Sequence, residues 1–223
     1  MTETTYRPHA VAAVLAPPAL LAAFALHPHI AGRLPNNSAV AHAVADGPAI
    51  WGLAHVLTAV ASGFVALAFI AVRGYLRDHG GDRWSGFGLP FIVIGSMLYA
   101  FLPGMEFAPL AAVEAGGDAE AAQAALTPWF LPVLMGGALV FAVGVVGFAK
   151  GIAGLDVLGP RLTALIVVAL IVFAASRFVP LFVVQGYVQV AAALLALWPL
   201  AQRMWNSAQA PMPGTLRTAT ASH

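Results

Sequence analysis

GPAIWGLAHVLTAVASGFVALAFIAV, residues 47–72, holds no Asp, Glu, Lys or Arg. A helix rises about 1.5 Å per residue, and about 20 apolar residues cross the hydrocarbon core of a bilayer. The stretch reads as a transmembrane helix. It follows a turn signal, Asp46-Gly47-Pro48, in which Asp46 is expected to cap the first turn. One titratable group, His55, lies inside it.

Working outward, the uncharged runs at residues 10–26, 84–105, 121–149, 162–176 and 178–202 have the same character. Each reads as one membrane helix. The predicted fold is all-α, a polytopic membrane bundle of six transmembrane helices in one domain, residues 1–205. Residues 206–223 are rich in Ser, Thr, Ala and Pro and are expected to form a disordered cytoplasmic tail. Arg161 and Arg177 bound the short fifth run and are expected to snorkel, or the helix to run on past Arg177. Pro180 sets the turn between the fifth and sixth.

Composition agrees. The chain has 223 residues, 61% hydrophobic and 9% charged. Soluble domains carry about 25% charged residues. The net charge of +1 gives no basis for binding nucleic acid. There is no cysteine, which excludes disulfides, thiolate nucleophiles and Cys-ligated metal. Lys150 is the one lysine among many arginines, in a chain heavy in Ala, Gly and Val, a bias that points to a GC-rich bacterium. Its place at a helix end makes a mid-membrane Schiff base an unfavoured reading.

Basic residues in short loops set orientation. Arg7, Arg73, Arg77, Arg83, Lys150, Arg161, Arg203 and Arg217 fall on one side of a six-helix chain, and only Arg33 and Arg177 on the other. Both termini are thus expected inside, at the bacterial plasma membrane. Ala23-Phe24-Ala25 fits a signal-peptide cleavage site, which would leave five helices, but Pro17 and Pro18 sit badly in a signal-peptide core. The uncleaved reading is preferred. Residues 26–46 are outside and long enough to fold back over the bundle mouth.

His55 lies about 10 Å below the outer end of its helix at about 1.5 Å per residue. The third helix runs the other way and brings Glu106 to the same outer depth. A carboxylate in hydrocarbon costs several kcal/mol unless it is paired or protonated. His55 and Arg177 are its available partners. Polar residues follow each at helical spacing, Thr58 and Ser62 below His55, and Ser96, Tyr99 and Pro103 below Glu106. Pro103-Gly104 is expected to open the backbone hydrogen bonding before Glu106. Gly136, Gly137, Gly144 and Gly147 read as close helix packing.

Three functions compete for this site. In the first, favoured by the histidine clustering, it is a metal- or haem-binding enzyme centre. His55, Glu106, His27, His29 and His42 would hold zinc, copper or iron, or His55 with His27 or His29 would hold haem b. In the second, the pocket takes a small or lipophilic ligand, with Glu106 and His55 in the catalytic or proton-carrying role. Arg177, Gln185, Gln189, Tyr99 and Trp129 would bind the substrate. In the third, the protein is a non-catalytic subunit of a homo-oligomer or larger membrane complex.

Two resemblances follow from named residues. Six helices, the outer pocket and the spacings Ala12 to Ala16 and Ala19 to Ala23 are broadly similar to substrate-binding subunits of energy-coupling vitamin transporters. Trp51-Gly52-Leu53-Ala54-His55, the Arg-rich loop at residues 73–83 and Gly104-Met105-Glu106 resemble a broad group of uncharacterised actinobacterial multi-helix membrane proteins. That second resemblance covers helices two to four. It implies a bacterial membrane location and carries no activity.

Overall fold

A computed structural model of the protein describes residues 6–80, 82–155 and 158–207. The described helices are α1 (Tyr6–Leu26), α2 (Asn37–Asp46), α3 (Pro48–Asp78), α4 (Asp82–Met105), α5 (Phe107–Glu114), α6 (Ala119–Ala153), α7 (Pro160–Ala175) and α8 (Phe182–Ser207). A 3-10 turn, Ser176–Phe178, joins the last two. There is no strand among the described residues.

Among the described residues five helical segments are long and apolar enough to cross a membrane: Pro48–Asp78, Arg83–Glu114, Ala119–Ala153, Pro160–Phe178 and Phe182–Ser207. The second of these joins α4 and α5. Ala10–Leu26 of α1 is a shorter apolar helix. Among the described residues five spans are found where six are expected. The chain is a multi-pass membrane protein.

The two faces of α3 show the solvent that the sequence fits. Trp51, Ala54, His55, Ala61, Ser62 and Val65 are buried, whereas Ile50, Leu53, Val56, Val60 and Leu67 are exposed. The inner face is mostly small and carries the polar groups. The outer face is bulky and aliphatic. Water would penalise so large an apolar surface, whereas lipid tails accept it.

Small residues draw the backbones together inside. A Cβ on Gly95 would lie 2.7 Å from the backbone nitrogen of Phe141, and one on Gly144 2.7 Å from that of Ile92. Helices α4 and α6 thus touch main chain to main chain. Gly137 and Gly147 also face α4, but Gly136 meets nothing within 4 Å and does not pack as expected.

The outer connection folds back over the bundle. Asn36 caps α2 by accepting from the Ala39 N–H at 3.2 Å. Val40 and Val44 of α2 then bury against Ile30, Trp51 and Leu110. The Leu34 N–H donates to the Pro180 carbonyl at 2.9 Å, which ties this cover to the α7–α8 turn.

Two local expectations need correction. Asp46 closes α2 and does not cap α3; the α3 N-cap is Gly47, without a side-chain bond. Pro48 at the first position has no N–H that needs a cap. Asn206 and Ser207 belong to α8, since neither residue breaks a helix as proline would. The rest of the expected tail, residues 208–223, lies outside the described residues.

Candidate functional site

Glu106 is the one residue between α4 and α5. Pro103 and Pro109 flank it, and neither can donate to the carbonyl four residues earlier, Tyr99 or Met105. The Glu106 N–H still donates to the Leu102 carbonyl at 3.2 Å, so the ladder is interrupted on either side of it, at the Tyr99 and Met105 carbonyls. The Trp51 indole Nε1–H donates to the Glu106 carbonyl at 3.0 Å.

The Glu106 side chain meets His55. Oε2 lies 2.8 Å from His55 Nε2, with the two side chains 16% and 2% exposed. The opposite ring nitrogen, Nδ1, lies 2.7 Å from the Trp51 carbonyl. A carbonyl only accepts, so Nδ1 carries a hydrogen. Nε2 then either accepts from a protonated Glu106 or donates to its carboxylate. Two lone pairs do not rest 2.8 Å apart, so the pair shares one proton between Nε2 and Oε2. Its net charge is zero wherever that proton sits. This answers how the membrane tolerates Glu106.

Arg177 does not take part in that pair. It is 2% exposed and points inward rather than snorkelling, and the helical segment runs on past it to Phe178. Its guanidinium carbon sits 3.6 Å from the Phe141 ring centroid, 4.3 Å from that of Tyr99 and 5.5 Å from that of Phe173. Nε and Nη1 have no hydrogen-bond partner among the described residues. Gln185 Nε2 donates to the Arg177 backbone carbonyl at 3.1 Å and so fixes the end of the 3-10 turn.

A cavity of about 160 Å³ joins these groups. His55, Glu106, Arg177, Tyr99, Gln185, His27 and Thr58 reach its wall, and the rest is largely apolar, including Phe24, Leu102, Leu134, Met135 and Phe182. Thr58 donates its hydroxyl hydrogen to the Ala54 carbonyl at 2.8 Å, leaving its lone pairs available. Ser62, a turn lower, bonds the Thr58 carbonyl at 2.9 Å and does not reach the cavity.

His27, just beyond α1, stacks against this site. Its ring centroid lies 4.9 Å from that of His55, 5.2 Å from Trp51 and 4.5 Å from Phe182. Nδ1 donates to the Pro28 carbonyl at 2.8 Å. Burial pushes its pKa below the ordinary 6.5, the Pro28 bond opposes this, neighbouring His55 adds to it, and Glu106 opposes it.

Several expected site residues lie elsewhere. His29 and His42 are exposed and do not line the cavity. Of the five expected metal ligands, His55 and Glu106 are bonded to each other and His27 is stacked beside them. Among the described residues there is no group of three or more His, Asp or Glu arranged to hold a metal ion. The rings of His27 and His55 pack against each other, with centroids 4.9 Å apart. Trp129 is 73% exposed, because it faces away from the wall to which Phe130 and Leu131 contribute. Gln189 is fully buried but absent from the cavity wall, and its amide atoms have no partner among the described residues.

Sequence reasoning misses Trp51 and Gln123, which also line the cavity, and the Phe141–Phe173 cage around Arg177. Trp51 is within reach of it, being one helical turn before His55 on the same face. Phe141 gives no such signal, because its meeting with Arg177 depends on how α6 and α7 pack.

No family model, curated protein or solved structure matches this chain. The site is read from its own chemistry.

Proposed function

We propose that this is a bacterial plasma-membrane protein that binds a small or lipophilic molecule in the outer cavity. His55 and Glu106 move a proton to or from that molecule, either as an acid–base pair or as the proton carrier of a transporter. The observation that carries the reading is the 2.8 Å Nε2–Oε2 contact on the wall of an apolar cavity. While it holds the shared proton, the charge-neutral pair keeps a transferable proton at the cavity wall without leaving a bare carboxylate in hydrocarbon. The same contact favours proton chemistry over a metal centre, since the facing atoms of both candidate ligands are already engaged.

Native mass spectrometry of the protein in a mild uncharged detergent tests the ligand reading. A bound small molecule is expected in the wild type and lost in Leu134→Trp, which fills the cavity. Identical spectra from both proteins would overturn it. Metal analysis and an absorption spectrum on the same preparation test the metal or haem alternative; stoichiometric metal lost in His55→Ala would restore it.

The proposed arrangement has six spans with both termini inside, α1 being the sixth. Basic residues gather at the α3–α4 and α6–α7 connections, and Glu114, Asp118 and Glu120 at the opposite end. Because the chain has no cysteine, single-cysteine labelling is clean. Glu114→Cys is expected to react with an impermeant maleimide in intact cells, and Arg77→Cys only after lysis. The reverse pattern would invert the topology.

A further inference from the structure

Arg177 carries a charge for which the described residues supply no counter-ion. It is 2% exposed, and Nε and Nη1 are buried without an acceptor. The ion pairs of His55 with Glu106 and of Arg77 with Asp78 do not include it. Three aromatic rings, those of Phe141, Tyr99 and Phe173, surround its guanidinium. Their faces attract a cation but do not neutralise it. The His55–Glu106 pair, with one shared proton, contributes no net charge. The cavity wall therefore carries a net positive charge in a segment apolar enough to cross a membrane.

An unpaired buried ion costs several kcal/mol, so such a group calls for an anion in contact with it. Size narrows the choice. The cavity measures about 160 Å³. An apolar cavity of about 150 Å³ holds benzene. The remainder of the wall is mostly hydrocarbon. A doubly charged phosphate monoester would leave excess negative charge among those side chains. A single carboxylate balances the guanidinium, whose planar N–H groups match it in shape.

We propose that the cavity ligand is a lipophilic monocarboxylic acid, its carboxylate held by Arg177 and its apolar body by the surrounding wall. The inference rests on the reading of the cavity as a ligand site and names the class of ligand it takes. Two sources share this chemistry. A small free acid would sit wholly inside, and a long-chain acid from the bilayer would leave its tail outside.

Thermal unfolding of the full-length protein in an uncharged maltoside detergent separates the cases, with benzoate, its neutral isostere benzamide, and laurate as probes. Benzoate is expected to raise Tm saturably, by about 5 °C at a hundredfold excess over Kd, and benzamide to leave it unchanged. A response to laurate stronger than that to benzoate assigns the bilayer as source, and the opposite order assigns a free acid; either supports the proposal.

Arg177→Met is expected to abolish the response without lowering the Tm of the ligand-free protein, since an apolar side chain replaces an unpaired charge. Arg177→Lys, which keeps the charge and loses the planar fork, is expected to weaken benzoate about tenfold; this second variant decides the question if the Met variant fails to fold. Benzoate and laurate both without effect, or a benzoate response unchanged in both variants, would overturn the assignment. A benzamide response lost in Leu134→Trp but indifferent to Arg177 would overturn the carboxylate and leave the cavity a ligand site. Silence from every probe, with no co-purifying molecule, would overturn both.

Discussion

Trp51 holds His55 in two ways. Its carbonyl accepts the Nδ1 hydrogen at 2.7 Å, and its ring lies 4.3 Å from the imidazole, tilted by 30°. The first contact decides which nitrogen faces Glu106. The indole adds a third link by donating to the Glu106 carbonyl at 3.0 Å. Trp51→Phe keeps an aromatic ring and the backbone carbonyl but drops the indole N–H. It should cost about 1 kcal/mol, the usual worth of one such bond, read as a lower Tm in detergent. A loss of several kcal/mol would mean that the indole carries more of the α3–α4 junction than one bond.

The two members of the proton-sharing pair should not be equivalent under mutation. Glu106→Gln leaves His55 Nε2 a hydrogen-bonding partner and removes the carboxyl. Its cost should stay near the about 1 kcal/mol of one hydrogen bond, while any proton-linked activity disappears. His55→Ala strands a carboxylate, and breaking a buried pair from one side costs about 3–5 kcal/mol. Infrared difference spectroscopy should show a carboxyl band in the wild type that is absent from the Gln variant. Equal destabilisation by both changes would argue against a shared proton.

The α4–α6 contact predicts a contrast between glycines of one helix. A Cβ at position 144 would lie 2.7 Å from the Ile92 backbone nitrogen, whereas one at position 136 meets nothing within 4 Å. Gly144→Ala should destabilise by about 1–3 kcal/mol through overpacking. Gly136→Ala should be neutral, or stabilising by up to about 1 kcal/mol through helix propensity. Paired thermal melts give the comparison.

The same contrast separates what the chain alone reveals from what it hides. The long uncharged runs give the helices, because a membrane leaves few other ways to satisfy backbone polar groups. The shared depth of His55 and Glu106 follows from counting along helices of opposite direction. Counting does not give rotation about a helix axis. Trp129, Gln189 and Gly136 therefore sit on walls other than those expected, although their heights are reasonable. Nor does counting give contacts between segments distant in the chain, so Arg177, an available partner for Glu106, shares its cavity but lies against Phe141 and Tyr99. His29 and His42 differ for a third reason. They lie near the helical cover, and the apolar side chains of that cover, not its histidines, face the bundle.

His27 provides a pH test. Burial leads the causes that lower its pKa below 6.5. Between the folded and unfolded values the unfolded chain binds more protons, so stability rises with pH there. Its contribution is intact above about 6.5 and is lost as acid enters that window. The Tm in detergent should therefore fall between neutral pH and pH about 5, and His27→Phe, which keeps a ring for Phe182 and Trp51, should flatten that part of the profile. A profile unchanged by the substitution would exclude His27 as the source.

The break between α4 and α5 has a mechanical meaning. Glu106 is the pivot of that elbow, and both of its fastenings, the side chain to His55 and the carbonyl to Trp51, lie within about one turn of α3. Withdrawing the shared proton turns the His55 fastening from attraction into repulsion while the Trp51 fastening remains. The α4–α5 junction would then be held to α3 by the Trp51 bond and by the packing of Leu110, so a proton arriving at or leaving this site would change how firmly that junction is fastened.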